Sequence, residues 1–293
     1  MTSVPYIGRF APSPTGPMHF GTLVAAVASY LRARSQNGQW LVRMEDVDIY
    51  RKVAGADTQI LQSLEAFGFE WDGEVQYQTT RNDAYEAALQ QLKQQQQVYP
   101  CTCSRKQLAR QTGEWSPVYP GACRNKTDWS IQDYSIRIKT PDTIFRFSDA
   151  LFGEQQQNLG KEVGDFVIKR RDGVFAYQLA VVVDDAWQGV TEVVRGTDLI
   201  DSTARQIFLQ HKLGLPTPAY FHFPVAVDAS GHKLSKSTGA GMVNHNQPMA
   251  SLNNALQFLG QAPVEADRLE DFWKQAIIGW REDAVPKRIS IAR

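Results

Sequence analysis

Short apolar runs alternate along the chain with longer stretches whose apolar residues recur every three to four positions. Tyr6 to Phe10 reads as a buried strand, and a turn rich in proline, "APSPTGP", follows it directly. The spacing of Leu23, Ala26, Val27 and Tyr30 then predicts a helix over 18–34. "GQWLVRMED" predicts a second strand, and "ADTQILQSLEAFGF" a helix with Asp57 as its N-cap. Another helix is expected over 82–97, capped by Asn82 or Asp83, with its closing glutamines forming a solvated face. Strand, helix, strand, helix in this order implies a parallel sheet with helices on its faces.

The order breaks at Val98. From there to about Asn158 the chain offers a cysteine cluster and two short strands, "YSIRIKT" and "TIFRFSD", which read as an inserted subdomain. The alternation then resumes with a hairpin turning on Asp172-Gly173, a helix "FAYQLAVVVDD" and a strand "VTEVVRG". "STARQIFLQHKLG" is a helix closed by Gly214. "HFPVAVDASGHKLSKSTGAG" is a strand running into a loop of Lys, Ser and Gly, and helices over 249–259 and about 264–280 end the chain. The expected units are a first half of the core over 1–97, an insertion over 98–160, a second half over 161–240 and a helical C-terminal region over 241–293.

Bulk properties narrow the classes. The 293 residues suffice for one large domain with an insertion or for two domains, and 43% hydrophobic with 21% charged residues is ordinary for a soluble globular protein. Lys+Arg and Asp+Glu balance at 31 each, so any footprint for nucleic acid has to be local. No apolar run has the length of a membrane span. "MTSVPYIGRF" lacks the basic region and apolar core of a signal peptide. A cytoplasmic protein with no membrane partner is expected.

Four places could carry chemistry. In the opening turn, a strand, a glycine-bearing loop and a helix N-terminus make an anion site, because unpaired N–H groups and the helix dipole face the loop. Gly16 lets a ligand approach the backbone, Pro17 suits the first helical position, and His19 in the first turn can donate to a phosphate oxygen. A rigid proline turn ahead of a core helix accounts for the same residues. In "GHKLSKSTGAG", Lys233 and Lys236 suit a pyrophosphate leaving group, whose charge develops in the transition state; a solvated lysine loop is the plainer alternative. In "MEDVD", Glu45 ends a strand at the edge where open α/β sheets bind ligands and could hold an ammonium group, while Asp46 and Asp48 serve equally as caps or solvated charges.

The fourth place is the set Cys101, Cys103 and Cys123. An odd, clustered set argues against a disulfide framework and for a thiol or metal site. Structural zinc takes four ligands, and the five histidines, at 19, 211, 222, 232 and 245, lie elsewhere in the sequence. The fourth ligand is then an oxygen or comes from elsewhere. Tyr119, four residues before Cys123, is a candidate, and metal-free buried cysteines are the alternative.

Together, "RFAPSPTGPMHFGT" and "HKLSKS" resemble the two signatures of class I aminoacyl-tRNA synthetases, with His19-Phe20-Gly21-Thr22 and Lys233 to Ser237 as the signature elements. "RFAPSPTG" is similar to the glutamyl form, as is "DGVFAYQLAVVVDDAWQGVTEVVRGTDLIDSTARQ". The resemblance runs from about Tyr6 to Gly239. It implies an α/β fold with a class I, Rossmann-type parallel sheet, and roles residue by residue. Arg9 and Arg195 would face the carboxylates of glutamate in bidentate fashion, Ser13 and Glu45 the α-amino end, and Tyr177 the amino-acid pocket. Pro12, Gly16, His19, Gly21, Thr22, Lys233 and Lys236 would meet ATP, with His19 and Lys236 stabilising its phosphates. Asp198 would stand in the site wall. In one slot the sequence departs from the signature: Thr22 replaces its closing histidine, giving a hydroxyl donor without charge.

Only about fifty residues follow the Lys-Ser loop, too few for the large anticodon-reading domain of a discriminating glutamyl-tRNA synthetase. The shortened form, with "CTC" and a Tyr-x-x-x-Cys pair, resembles the glutamyl-Q tRNA(Asp) synthetase family. That resemblance implies ATP- and Mg2+-dependent activation of L-glutamate without tRNA, then transfer to the queuosine base at the wobble position of tRNA(Asp). It also implies one structural Zn2+ on Cys101, Cys103, Tyr119 and Cys123. A monomer taking the anticodon stem-loop into its groove is expected, with Lys169, Arg170, Arg171, Lys287 and Arg288 as candidate phosphate contacts. The alternatives are a truncated glutamyl-tRNA synthetase charging the tRNA 3′ end and a non-catalytic RNA-binding paralogue.

Overall fold

The computed structural model describes residues 5–104, 106–108, 118–228, 230–231 and 243–292. Strand β1 (Ile7–Phe10) leads through the proline turn into α1 (Phe20–Arg34), which returns to β2 (Gln39–Met44) parallel to β1, with Arg9 opposite Leu41. Helix α2 (Ala56–Ala66) then leads to the two-residue β3 (Gln76–Tyr77), parallel to β2, and α3 (Asn82–Gln94) follows. The caps differ from expectation. Gly55, in the left-handed region, precedes α2, and Asp57 lies inside the first turn with its carboxylate on the Thr58 N–H. A 3-10 turn over Gln78–Arg81 runs straight into α3, so neither Asn82 nor Asp83 is its N-cap.

Next come β4 (Val98–Cys101), β5 (Ser135–Ile138), β6 (Ile144–Asp149), β7 (Gly153–Asn158) and β8 (Val167–Lys169). After the Asp172-Gly173 turn, where the Arg170 N–H donates to the Val174 carbonyl, α4 (Tyr177–Trp187), β9 (Glu192–Gly196), α5 (Thr203–Leu213) and β10 (Ala219–Phe223) follow. Gly214 closes α5 at φ 67°, as expected. β11 (Val225–Val227) follows, and the C-terminal region holds α6 (Pro248–Phe258), α7 (Leu269–Gly279) and β12 (Ser290–Ala292). It is not purely helical, because β12 returns to pair in parallel with β11.

Strand pairing crosses the expected boundaries. β10 runs parallel between β9 and β6, and β6 carries β7 as an antiparallel edge strand, so the hairpin 144–158 extends the parallel sheet. β5 pairs with both β4 and β8, tying residues on either side of position 160 into one ladder. The two parallel ladders meet at β9 and β1: Thr191 donates its N–H to the Ile7 carbonyl and accepts the Ile7 N–H on its hydroxyl, each at 2.9 Å.

Helix α1 is not the one-sided amphipathic helix that its stripe predicts. Ala28, Ser29, Leu31 and Ala33 are buried as well as Leu23, Ala26, Val27 and Tyr30, because α6 and α7 cover the face turned away from the sheet. The aromatic set Tyr30, Trp40, Phe69 and Trp273 packs edge-on and stacked in that core. Its polar atoms are matched: Trp40 Nε1 donates to Ser29 and Trp273 Nε1 to the Phe67 carbonyl. A second core joins α3, α4 and α5 to β4, β5 and β8.

Candidate active site

All strands of the two parallel ladders end on one edge, and there the chain leaves a cavity of about 520 Å³. Its walls come from the end of β1, the proline turn, the start of α1, Glu45 after β2, Tyr177 at the start of α4, and the segments following β9 and β10. Backbone bonds hold the turn rigid: the Pro12 carbonyl accepts the Glu45 N–H and the Pro14 carbonyl the Val53 N–H. Gly16 adopts φ 135°, open only to glycine at low cost. Helix α1 begins at Phe20, later than expected, so Pro17 is not its first residue and His19 is the N-cap. His19 Nε2 lies 3.1 Å from the Thr22 hydroxyl, so the residue replacing the signature's last histidine is paired with its first.

Two buried guanidinium groups lie at the back of the cavity. Arg9, 4% exposed, donates from Nε and Nη2 to the two carboxylate oxygens of Asp185 at 3.1 and 3.4 Å. Arg43, fully buried behind it, donates to Asp185 at 2.8 Å, to Gln188 at 2.6 Å and to Glu45 at 3.4 Å. Burial alone would raise the Asp185 pKa, but Arg9 and Arg43 outweigh it and hold the carboxyl below the usual range. At Glu45 burial prevails over the same two arginines, and its pKa is raised.

Arg195, 5% exposed, is the second. It donates from Nε to His222 Nε2 at 3.0 Å, from Nη1 to Gln206 at 2.7 Å and Tyr177 Oη at 3.4 Å, and from Nη2 to Thr203 at 2.8 Å. Burial raises the Tyr177 pKa, so its phenol stays protonated. A guanidinium has five N–H groups. Among the described residues, four on Arg195 find partners and one Nη2–H does not, whereas three on Arg9 do not. As the side chains stand, Arg9 offers a carboxylate a bidentate pair of N–H groups and Arg195 a single one.

Arg9, Pro12, Ser13, Gly16, His19, Gly21, Thr22, Glu45, Tyr177, Arg195 and Asp198 therefore all line one cavity. Lys233 and Lys236 lie outside the described residues. The sequence reading missed Asp185, Arg43, Gln206, Thr203 and His222. Asp185 could have been found as a charge inside the apolar run of α4; the others carry no local signal.

On the far side of the second core, Cys101, Cys103 and Cys123 bring their sulfurs within 4.8 Å of one another. Tyr119 Oη lies 3.4 Å from Cys101 Sγ and 3.5 Å from Cys103 Sγ, and it accepts the Cys123 N–H at 2.8 Å. Three sulfurs and a phenolic oxygen at one point fit the tetrahedral donor set of a structural metal. Against burial, hydrogen bonds from the Thr102 backbone, Cys103 and Tyr119 pull the Cys123 pKa down to about 6, while burial pushes that of its partner Cys103 up to about 11. Cys123 is therefore the sulfur that ionises more readily, and binding of a metal would have to displace the Cys103 proton.

Comparison with known proteins agrees with this geometry. The family described as tRNA synthetases class I (E and Q), catalytic domain, matches residues 7–267. Glutamyl-Q tRNA(Asp) synthetase of Pseudomonas fluorescens is 49% identical, over 99% of this chain and 97% of its own. The protein of that name from Pseudomonas aeruginosa PAO1 is 54% identical over 88% of this chain and 86% of its own. The chain belongs to the glutamyl-Q tRNA(Asp) synthetase family. It is a class I synthetase-like ligase. Glutamate-tRNA synthetase from Elizabethkingia anophelis shares the fold, with a TM-score of 0.83 at 24% identity, covering 99% of this chain and 68% of that one.

In this member of the family the basic residues at the β8 turn are committed to ion pairs. Lys169 pairs with Glu86, Arg170 with Asp48 and Asp172, and Arg171 with Asp133. Lys287 and Arg288 are exposed. No helix among the described residues is long and apolar enough to cross a membrane.

Proposed function

We propose that this protein converts L-glutamate and ATP to glutamyl-adenylate without tRNA, and then transfers glutamate to the queuosine base at the wobble position of tRNA(Asp). The observation that carries this reading is the pair of buried arginines, Arg9 and Arg195, facing one cavity that also opens on a strand–turn–helix N-terminus. The first suits a dicarboxylate, the second a polyphosphate. Arg9 takes one carboxylate through its three remaining N–H groups and Arg195 adds a single bond. Ser13 and Glu45 hold the α-amino group; an arriving ammonium restores the ionised form of Glu45 that burial disfavours. Tyr177 borders the amino-acid pocket. Pro12, Gly16, His19, Gly21 and Thr22 meet ATP, joined by Lys233 and Lys236.

A glutamate α-carboxylate oxygen attacks the α-phosphorus in line, the bond to the β-phosphate bridge breaks, and pyrophosphate leaves. Magnesium entering with ATP supplies neutralisation of the pyrophosphate charge. A hydroxyl of the queuosine cyclopentenediol then attacks the activated carbonyl, loses its proton, and AMP departs. No protein nucleophile is required. Cys101, Cys103, Tyr119 and Cys123 would hold one structural Zn2+. The units 1–97 and 161–240 form the core together with the hairpin 144–158, the rest of 98–160 the zinc-bearing insertion, and 241–293 the C-terminal region of a cytoplasmic monomer that takes the anticodon stem-loop.

The test supplies ATP, labelled glutamate and tRNA with or without queuosine. Label on queuosine-bearing tRNA(Asp) alone is expected. Label at the 3′ end means a truncated glutamyl-tRNA synthetase, and absence of glutamate-dependent pyrophosphate exchange means a non-catalytic paralogue.

A further inference from the structure

Behind Arg195 lies a buried group that the proposed chemistry does not use. His222, on β10, is fully buried. Its Nε2 faces Arg195 Nε at 3.0 Å. A guanidinium only donates, so Nε2 must be the acceptor and the ring proton must sit on Nδ1. Nδ1 lies 2.7 Å from Asp149 Oδ2, which accepts it. Asp149, the last residue of β6, is itself held: Oδ2 also accepts the His222 N–H, and Oδ1 accepts the N–H groups of Leu151 and Phe152 at 3.0 and 2.9 Å. Every contact asks this carboxylate to accept, which suits its ionised form and fixes the tautomer of its neighbour.

We propose that His222, locked by Asp149 with its proton on Nδ1, is a positioning residue for Arg195 and thereby sets the affinity for the glutamate carboxylate. The inference rests on the glutamate-activating function proposed above. The guanidinium is bonded on all three nitrogens, by His222 at Nε, Gln206 at Nη1 and Thr203 at Nη2. The remaining Nη2–H then has one direction, fixed before substrate arrives. Without the Nε bond the fork can swivel about the other two. A protonated ring would set Nε2–H against Nε–H and push Arg195 away. The groups around the ring are Asp149 from β6, Arg195 from β9, Asp198 beyond it, Thr203 at 3.4 Å from the start of α5, and the stacked Tyr220 on its own strand. Burial drives the imidazole pKa below its ordinary value against the Asp149 hydrogen bond, so the neutral form prevails.

Two substitutions separate the bonds of the ring. His222→Asn keeps an N–H donor near the Nδ1 position, so Asp149 retains a partner, and removes the acceptor for Arg195. His222→Gln keeps an acceptor near the Nε2 position. Pyrophosphate exchange at saturating ATP should show the glutamate KM of H222N raised about ten- to a hundred-fold, the worth of one hydrogen bond to a charged group, with the ATP KM and melting temperature near wild type. H222Q should recover most of that loss. In wild type the glutamate KM should climb once pH falls through the lowered pKa of the ring, more steeply than in H222Q. Long-range 1H–15N NMR of the wild type should find the proton on Nδ1. A proton on Nε2, or an unchanged glutamate KM in H222N beside an active wild type, overturns the role of His222. A wild type without exchange overturns the glutamate-activating reading itself, and this one with it.

Discussion

Asp185 is the side chain on which the rear of the pocket turns. It faces both Arg9 and Arg43, three charges shut away from water. Removing one partner from such a group strands the others. Asp185→Asn is expected to lower stability by about 3–5 kcal/mol in urea unfolding and to raise the glutamate KM. Arg9→Ala should abolish glutamate-dependent exchange; unchanged exchange kinetics would remove Arg9 from the carboxylate site.

Glu45 gives a pH signature. Its folded pKa is raised above the usual 4.5, so between 4.5 and that higher value the native chain binds more protons than the unfolded one. Stability contributed by Glu45 therefore falls as pH rises through this window. Substrate affinity moves the other way, because the ammonium needs the ionised carboxylate. The glutamate KM of wild type should rise as pH drops into the window, while Glu45→Gln should have a high, flatter KM.

The elements meet where glycine permits. Gly164, at φ 68°, bridges to Tyr119 between β7 and β8. A Cβ there would lie 2.8 Å from the Tyr119 nitrogen and 3.0 Å from its oxygen. With ψ at −174° this is an extended positive-φ conformation that only glycine adopts readily, costing another residue about 1–3 kcal/mol before any clash. Gly164→Ala should thus displace Tyr119 and weaken metal retention, read as faster zinc release to a chelator than from wild type, with exchange activity less affected. Equal release rates would separate Tyr119 from the metal set. The same contact shows why the insertion has no clean edge: β8 and Gly164, from the returning core, complete it.

Across the whole molecule, the cavity and the cysteine cluster sit in separate cores, so metal and glutamate activation should be separable. Cys101→Ser should lower bound zinc from about one per chain and lower the melting temperature, while glutamate-dependent exchange measured below that temperature persists. Metal-free wild type in elemental analysis would remove the site. The balanced charge of the chain has a counterpart in the structure: Lys169, Arg170 and Arg171 are neutralised locally. RNA binding through the remaining basic residues should then show a shallow salt dependence, measured as the slope of affinity against salt.

Much of this was written locally. Period-two and period-3.6 apolar spacing is a property of neighbouring residues, so strands and helices appeared near their expected places, and the first signature named residues that line the cavity. The cysteines and Tyr119 were legible because their spacing is short. What the sequence could not supply were groups that matter only through partners about 70 to more than 200 positions away. Asp185 meets Arg9, Asp149 meets His222, and α6 and α7 turn the amphipathic α1 into a buried one. Caps were misread for a similar reason: a preceding 3-10 turn or a left-handed glycine changes which residue stands first. Local propensity decides which elements form, but desolvation and pairing across the sheet decide which charges are buried, which tautomer His222 holds and how many donors each arginine has left for substrate.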